Sequence, residues 1–363
     1  MATYRFDEIA INSTKKKKPT EEDKAHYIGL EHIDPGCFNI VRWGSDVAPT
    51  GDKLLMQKGD VLFGKRRAYQ RKVGIAPFDG IFSAHGMVLR PNTEIIDANY
   101  FPFFISSDRF METAVRISVG GLSPTINWKD LAKQEFDLPT LEEQKVLADK
   151  LWAAYRLKEA YKKLLAATDE MVKSQFIEMF GDSSTKELRD VCIQSGEYGS
   201  NTPADTYDGN TRYVRITDIN DYGKLNKELV SPRVIEEKYL LTKNDLLFAR
   251  TGNTVGKTYL HEHGRMIYAG YLIRYRLNKE IMLPKFAFAF THTSIYYDWV
   301  ERTKKVGAQP NISAAQYDKM PIPVPSMGQQ RAFVAVAEQA DKSKFELKQS
   351  IENIDKVIKS LIN

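Results

Sequence analysis

The densest cationic stretch of the chain is GKRRAYQRK, Gly64–Lys72. Lys65, Arg66, Arg67, Arg71 and Lys72 interleave there with Tyr69 and Gln70, directly after a short apolar run, Val61–Phe63. Lysine and arginine anchor phosphates, and arginine and glutamine present paired hydrogen-bonding groups to base edges, so the composition suits a nucleic-acid duplex. A solvated basic hairpin has the same composition. A second segment sharpens the choice. ARTGNTVGKT, Ala249–Thr258, follows a similar apolar run, Leu246–Phe248. Arg250, Thr251, Asn253, Thr254 and Lys257 offer groups that contact phosphates or bases, while Gly252 and Gly256 permit close backbone approach. Two such loops after two similar runs favour a shared binding role.

Other chemistries fit less well. GNTVGKT departs from a phosphate-cradling loop, which needs four residues between Gly and Gly-Lys-Ser/Thr. Only three residues separate Gly252 from Gly256, and Thr251 stands where the motif needs glycine. His261 and His263 lack further ligands close by and read as a polar turn, and His85 as a structural histidine. Trp43 and Trp128 read as core, and the lysine run Lys15–Lys18 as a solvated loop that adds non-specific attraction to a duplex. No nucleophile elbow, HExxH, dinucleotide fingerprint or Asn/Asp-Pro-Pro-aromatic tetrapeptide is present, which argues against an enzyme acting alone.

The chain has 363 residues, a 42% apolar fraction and a net charge of +5. That length predicts two domains, and the mild basicity is compatible with nucleic acid. No apolar run reaches the roughly 18 residues of a membrane span. The start, MATYRFDEIA, does not read as a signal peptide. Cys37 and Cys192 stand far apart without a CxxC, so neither a disulfide framework nor a zinc site is expected, and a cytoplasmic location is.

Two long helical stretches must position the loops. Residues 140–181 contain no proline and no glycine before Gly181; Thr140 and Glu143 form a capping-box pattern, and Gly181 closes the segment. Leu147, Leu151, Leu157, Tyr161, Leu164 and Met171 lie on the apolar stripe of a helix roughly 60 Å long. From Ser326 to the end, Leu347, Ile351, Ile354, Ile358 and Leu361 continue a heptad-like seam broken at Lys344. The two stripes are expected to pack on each other, antiparallel.

Internal repetition ties these parts together. LPTLEEQK at Leu138 matches VPSMGQQR at Val324, and HYIGLEHID at His26 matches RYVRITDIN at Arg212, both at an offset of 186 residues. KGDVLF at Lys58 matches KNDLLF at Lys243 one residue out of step, and SVGGLSPTINW at Ser118 loosely matches KVGAQPNISA at Lys305. The expected order is a globular unit (1–139), a long helix (140–181), a second unit (182–323) and a second helix (324–363), with a pseudo-twofold relation between the halves. Strands are expected at Phe6–Ile11, Tyr27–Ile33, Asp60–Phe63, Gly86–Leu89, Tyr213–Ile219, Leu246–Ala249 and Tyr271–Leu277. Single helices are expected at Tyr100–Ile117 and Lys285–Arg302, and loops at Asn12–Thr20 and Ser195–Gly209. The fold class is α+β: two similar mixed units separated by two long helices paired as an antiparallel coiled coil.

On these segments the chain resembles the DNA-specificity (S) subunit of type I restriction-modification systems, over essentially its whole length. The resemblance is carried by Gly59–Pro91, Arg212–Ile219, Asp245–Leu260 and Leu138–Leu151, with a weaker copy at Val324–Ala337. It implies two target-recognition domains, each reading half of a split double-stranded DNA site, and a helical spacer that docks two methyltransferase (M) subunits. It also implies a non-catalytic chain that binds no cofactor. S-adenosylmethionine would sit in the M subunits, which methylate adenine, and restriction (R) subunits would complete the assembly. Two rival readings are a coiled-coil scaffold without nucleic-acid specificity and a stand-alone DNA-modifying enzyme.

Overall fold

The computed structural model describes residues 2–304 and 310–363. They form two compact units, residues 1–162 with 349–363, and residues 163–348. Each unit takes in part of both long helices, Leu141–Phe180 and Met327–Ile362.

In the first unit, strands Ala10–Ser13, Met87–Pro91, Val61–Phe63 and Val73–Ile75 lie side by side, antiparallel throughout. A second sheet joins Lys16–Lys17, Lys53–Met56, Gly80–Phe82 and Tyr27–Ile28, the last pair parallel. The second unit repeats the plan. Glu197–Tyr198, Leu272–Tyr275, Leu246–Ala249 and Thr258–Leu260 form an antiparallel sheet, and Arg212–Val214 pairs in parallel with Met266–Tyr268. The short central strands of both antiparallel sheets are fully buried, which is why they are continuous apolar runs in the sequence.

Several expected elements resolve differently. Phe6–Ile9 is a helical turn before the strand Ala10–Ser13, because Phe6 and Ile9, three apart, both enter the core. Tyr27–Ile33 and Tyr213–Ile219 are each a short strand followed by a 3-10 turn. Both expected single helices are broken. Ser107 separates Phe101–Ser106 from Asp108–Arg116 and caps the second by accepting from the Phe110 amide. Thr293 does the same between Pro284–Phe290 and Ser294–Thr303, accepting from the Tyr296 amide. The loop expected at Asn12–Thr20 holds the strand Lys16–Lys17, so that lysine run lies partly on a sheet edge, and Ser195–Gly209 holds two short strands. Trp43 is 48% exposed rather than core. Trp128 packs on the first core, beside Phe6.

The long helices enter the cores as antiparallel partners within each unit. In the first, Leu151 and Tyr155 near the start of one helix share a core with Ile358 and Leu361 near the end of the other. In the second, Phe176 and Phe180 near one helix end share a core with Phe333 near the other helix start. The seam of the first helix is a strict alternation of four and three: Gln144, Ala148, Leu151, Tyr155, Lys158, Lys162, Leu165, Asp169, Val172 and Phe176 are all buried or half-buried. Leu147 and Tyr161 flank it half-buried, but Leu157, Leu164 and Met171 are 45%, 51% and 50% exposed. These three were expected in the helix pair. Each precedes a seam residue (Lys158, Leu165 or Val172), and one residue turns about 100° around a helix. The seam instead holds charges, Lys158 with Asp355 in the first unit and Asp169 with Lys344 in the second. The expected positions of the second helix, Leu347, Ile351, Ile354, Ile358 and Leu361, are all half-buried on its own seam.

Both helix starts are built alike. Thr140 and Glu143 form a reciprocal cap, and Ser326 with Gln329 reproduces it although the sequence there reads MGQQ. The next residue is a buried glutamine in each. Gln144 accepts from the Asp97 amide and donates to the Ile95 and Pro139 carbonyls. Gln330 accepts from the Leu283 amide and donates to the Ile281 and Pro325 carbonyls. A buried amide with its groups bonded in this way locks each helix to its own unit.

Candidate nucleic-acid interface

The basic loop of the first unit joins two sheet strands and is closed where the Gly64 amide donates to the Lys72 carbonyl, 2.9 Å. Between them Arg67 and Arg71 adopt left-handed backbone, φ 55° and 53°, on either side of a single 3-10 turn. A second loop, residues 118–126, is laced to this one. The Arg67 amide donates to the Pro124 carbonyl at 2.7 Å, and the Ile126 amide to the Lys65 carbonyl at 3.0 Å. The Arg67 guanidinium donates through Nε and Nη2 to Ser123 Oγ, at 3.2 and 3.0 Å. Arg66 donates its amide to the His85 carbonyl, and its Nη1 lies 3.4 Å from His85 Nε2.

The candidates in this loop divide into two sets. Arg67 and Tyr69 are exposed, and Lys65, Arg66 and Gln70 half-exposed. Burial, then the neighbouring Lys16, holds the Lys65 ammonium below its usual range. Burial, then Arg66, Lys65 and Lys53, pushes His85 down. Crowding of cations around a weakly basic imidazole marks a surface that favours an anion. Arg71 and Lys72 are bonded to neighbouring parts of the first unit. Arg71 is paired with Asp108 at 2.7 Å and bonded to the Ser106 carbonyl, and Lys72 donates to the Leu30 carbonyl.

The second unit builds the same platform from other side chains. The Gly252 amide donates to the Pro310 carbonyl and the Ile312 amide to the Arg250 carbonyl, both 2.9 Å. Thr251 bridges Asn311 as Arg66 bridges Thr125. Part of the expected partner segment, Lys305–Ala314, lies outside the described residues. Arg250 sits over the Tyr198 ring, 4.7 Å from its centroid, and its Nε lies 3.4 Å from Asn311 Oδ1. Asn253 is exposed and Thr254 half-exposed. Thr251 is buried, 6% exposed, so it supports the loop rather than offering a surface. Lys257 is paired with the exposed Asp221 at 2.8 Å. Gly252 and Gly256 have φ 69° and 88°, and a Cβ at Gly256 would meet Val300 at 2.9 Å. His261, expected in a polar turn, is buried and lies beside the Tyr259 hydroxyl.

The second loop of each platform holds none of the candidate residues named from the sequence. In the second loop of the first platform Leu122 is 96% exposed beside Ser123; in the second unit the carbonyl of Tyr271, in the turn before the strand Leu272–Tyr275, accepts from the Arg250 amide, and Tyr271 is 60% exposed. The repeat that relates the residues after Ser118 to those after Lys305 is the signal that leads to the two partner loops. Among the described residues, no cluster of three or more His, Cys, Asp or Glu side chains could hold a metal, and no helix is long and apolar enough to cross a membrane.

Two copies of one mixed sheet domain, each carrying a loop with basic residues, define a tandem two-domain architecture. The chain belongs to the family of the type I restriction modification DNA specificity domain, whose profile matches residues 2–167 and again 181–355. It is similar to the EcoDI specificity subunit of a type I restriction enzyme from Escherichia coli, with 25% identity over 195 residues, 51% of this chain and 42% of that protein. It is also similar to the StySPI specificity subunit from Salmonella potsdam, with 24% identity over 268 residues, 67% of this chain and 53% of that protein. The chain therefore spans about half the length of these relatives. Its fold is shared with a chain from a study of complex assembly and conformational transition of the type I R-M system (TM-score 0.62, 16% identity, covering 99% of this chain and 96% of that one). It is shared too with the type I S subunit from M. genitalium (TM-score 0.52, 17% identity, covering 100% and 96%).

Proposed function

We propose that this chain is the sequence-reading subunit of a type I restriction-modification assembly, and that each unit reads one half of a two-part site on double-stranded DNA. The observation that carries this reading is the platform built twice on one backbone plan with different side chains at its tip. A shared frame with divergent tips suits two different half-sites. In this reading Lys65, Arg66, Arg67, Tyr69, Gln70, Arg250, Asn253, Thr254 and Lys257 face the duplex.

The long helices set the spacing between half-sites and dock two methyltransferase subunits. The outward face of the first helix supports docking. Ala153, Leu157 and Ala160 in the first unit, and Leu164, Ala167 and Met171 in the second, follow spacings of four and three, and Leu157, Leu164 and Met171 are the most exposed large side chains among them. That is a second apolar stripe, suited to a partner helix. The chain itself is non-catalytic and binds no cofactor; S-adenosylmethionine belongs to the methyltransferase subunits. Restriction subunits join the same core, in the cytoplasm.

The test is to map genomic adenine methylation with and without this chain, and to assay the purified chain alone. The expected result is a two-part methylated motif that disappears with the chain, and no methylation by the chain alone with S-adenosylmethionine. Robust methylation by the lone protein overturns the proposal. A scaffold without nucleic-acid specificity is separated by titration with duplex DNA at several salt concentrations, since phosphate contacts make affinity fall steeply with salt.

A further inference from the structure

Two arginines of the first platform hold backbone conformations that the second platform gives to glycine. Arg67 and Gly252 occupy the same place, since each donates its amide to the carbonyl of a proline, Pro124 or Pro310. Their φ angles are 55° and 69°. Arg71 and Gly256 correspond likewise, at 53° and 88°. A residue with a Cβ is strained in this region, and such strain persists where the side chain has a use. Arg71 has a visible one, its pair with Asp108. Arg67 is exposed, and its guanidinium is bonded to the hydroxyl of Ser123.

That contact is an orienting one. A guanidinium has five N–H donors, and Nε and Nη2 each spend one on Ser123 Oγ. The edge between Nη1 and Nη2 retains enough donors for the fork that matches O6 and N7 of guanine in a major groove. Resting on the proposed DNA-reading function, we infer that Arg67 is a specificity-determining residue that reads a guanine in the first half-site, with Ser123 as its positioning residue. The second half-site has no counterpart contact, because Gly252 stands there.

The test uses the full chain and a duplex recovered by selection from a random pool, with each guanine replaced in turn by 7-deazaguanine, which lacks the N7 acceptor. One replacement in the first half-site is expected to weaken the wild type about 5- to 140-fold, the range of one base contact. Arg67→Gly should bind that duplex and the unmodified one equally, without loss of melting temperature, because glycine relieves the backbone. Arg67→Lys keeps the charge without the planar fork and should lose part of the discrimination. Ser123→Ala should reduce the discrimination while leaving the salt dependence unchanged. The inference is overturned if no 7-deazaguanine weakens the wild type, if Arg67→Gly keeps the wild-type sensitivity, or if it weakens all sequences alike with a shallower salt slope. A wild-type chain that selects no sequence overturns the DNA-reading function itself.

Discussion

Charged residues in the two platforms differ in what they are free to do. Arg71 shares the strained backbone of Arg67, but its guanidinium is taken up by Asp108 and the Ser106 carbonyl. Arg71→Gly relieves the left-handed strain, about 1–2 kcal/mol, but loses a surface pair of about 0.2–1 kcal/mol and a carbonyl hydrogen bond of about 0.5–1.5 kcal/mol. Stability should therefore stay roughly level in denaturant titration, with sequence selectivity unchanged; relaxed selectivity would place Arg71 at the bases. Lys257 is neutralised by Asp221, a partner that is 81% exposed and easily displaced by a phosphate. Lys257→Ala should weaken binding to all sequences alike and lower the salt slope by about one. A loss confined to one sequence would instead mark Lys257 as a base reader.

Among the elements, the helix pair is held by an apolar seam that also carries two charge pairs. Lys158 is buried on the seam and paired with Asp355, whose side chain is 50% exposed. Asp355→Ala leaves the ammonium without its partner and should cost about 1–3 kcal/mol. Lys158→Leu combined with Asp355→Leu should cost less, because removing both charges leaves nothing unpaired. Denaturant midpoints of the single and double variants decide this. The end of the second helix is also tied by charge: Lys359 reaches Asp108 at 2.9 Å. The hydrogen bond from Lys359, with a further contribution from Arg71, holds the Asp108 carboxyl below the usual carboxylate range despite partial burial. A lowered folded pKa gives stability that is present above the unfolded value, about 3.9, and lost as pH falls through the folded one. Asp108→Asn should thus lower stability by ~1 kcal/mol near neutral pH, and the difference should vanish in strong acid. A difference independent of pH would point to packing rather than charge.

For the whole molecule, both long helices run from one unit into the other, so helix length governs how many residues separate the platforms along the chain. The seam repeats every seven residues on each helix. Adding seven residues to both, after Lys163 and after Lys348, preserves its phase and adds about 10.5 Å of helix. The methylated motif should keep both half-sequences while the preferred gap between them changes. Methylome sequencing of cells carrying the variant reads this directly. An unchanged gap in an active variant would show that the helices do not set the spacing.

The repeat, the burial of runs such as Val61–Phe63 and Leu246–Ala249, and the two long helices were all determined by the sequence itself. Each is a local pattern, and local patterns survive without knowledge of contacts. The same holds for the first helix cap, where Thr140 and Glu143 lie three residues apart. Tertiary structure decided what local pattern leaves open. It placed Lys158 and Asp169 on the seam and turned Leu157, Leu164 and Met171 outward, because a charge becomes acceptable in a seam once a partner helix supplies its counter-ion. It split the two helices at Ser107 and Thr293, where a hydroxyl cap and a change of direction serve packing rather than periodicity. It also separated Arg67 from Arg71 and Lys72. All three are cations in one short loop, and only the carboxylate, carbonyls and hydroxyl that fold against them determine which side chains are held by the protein and which one is aimed outward.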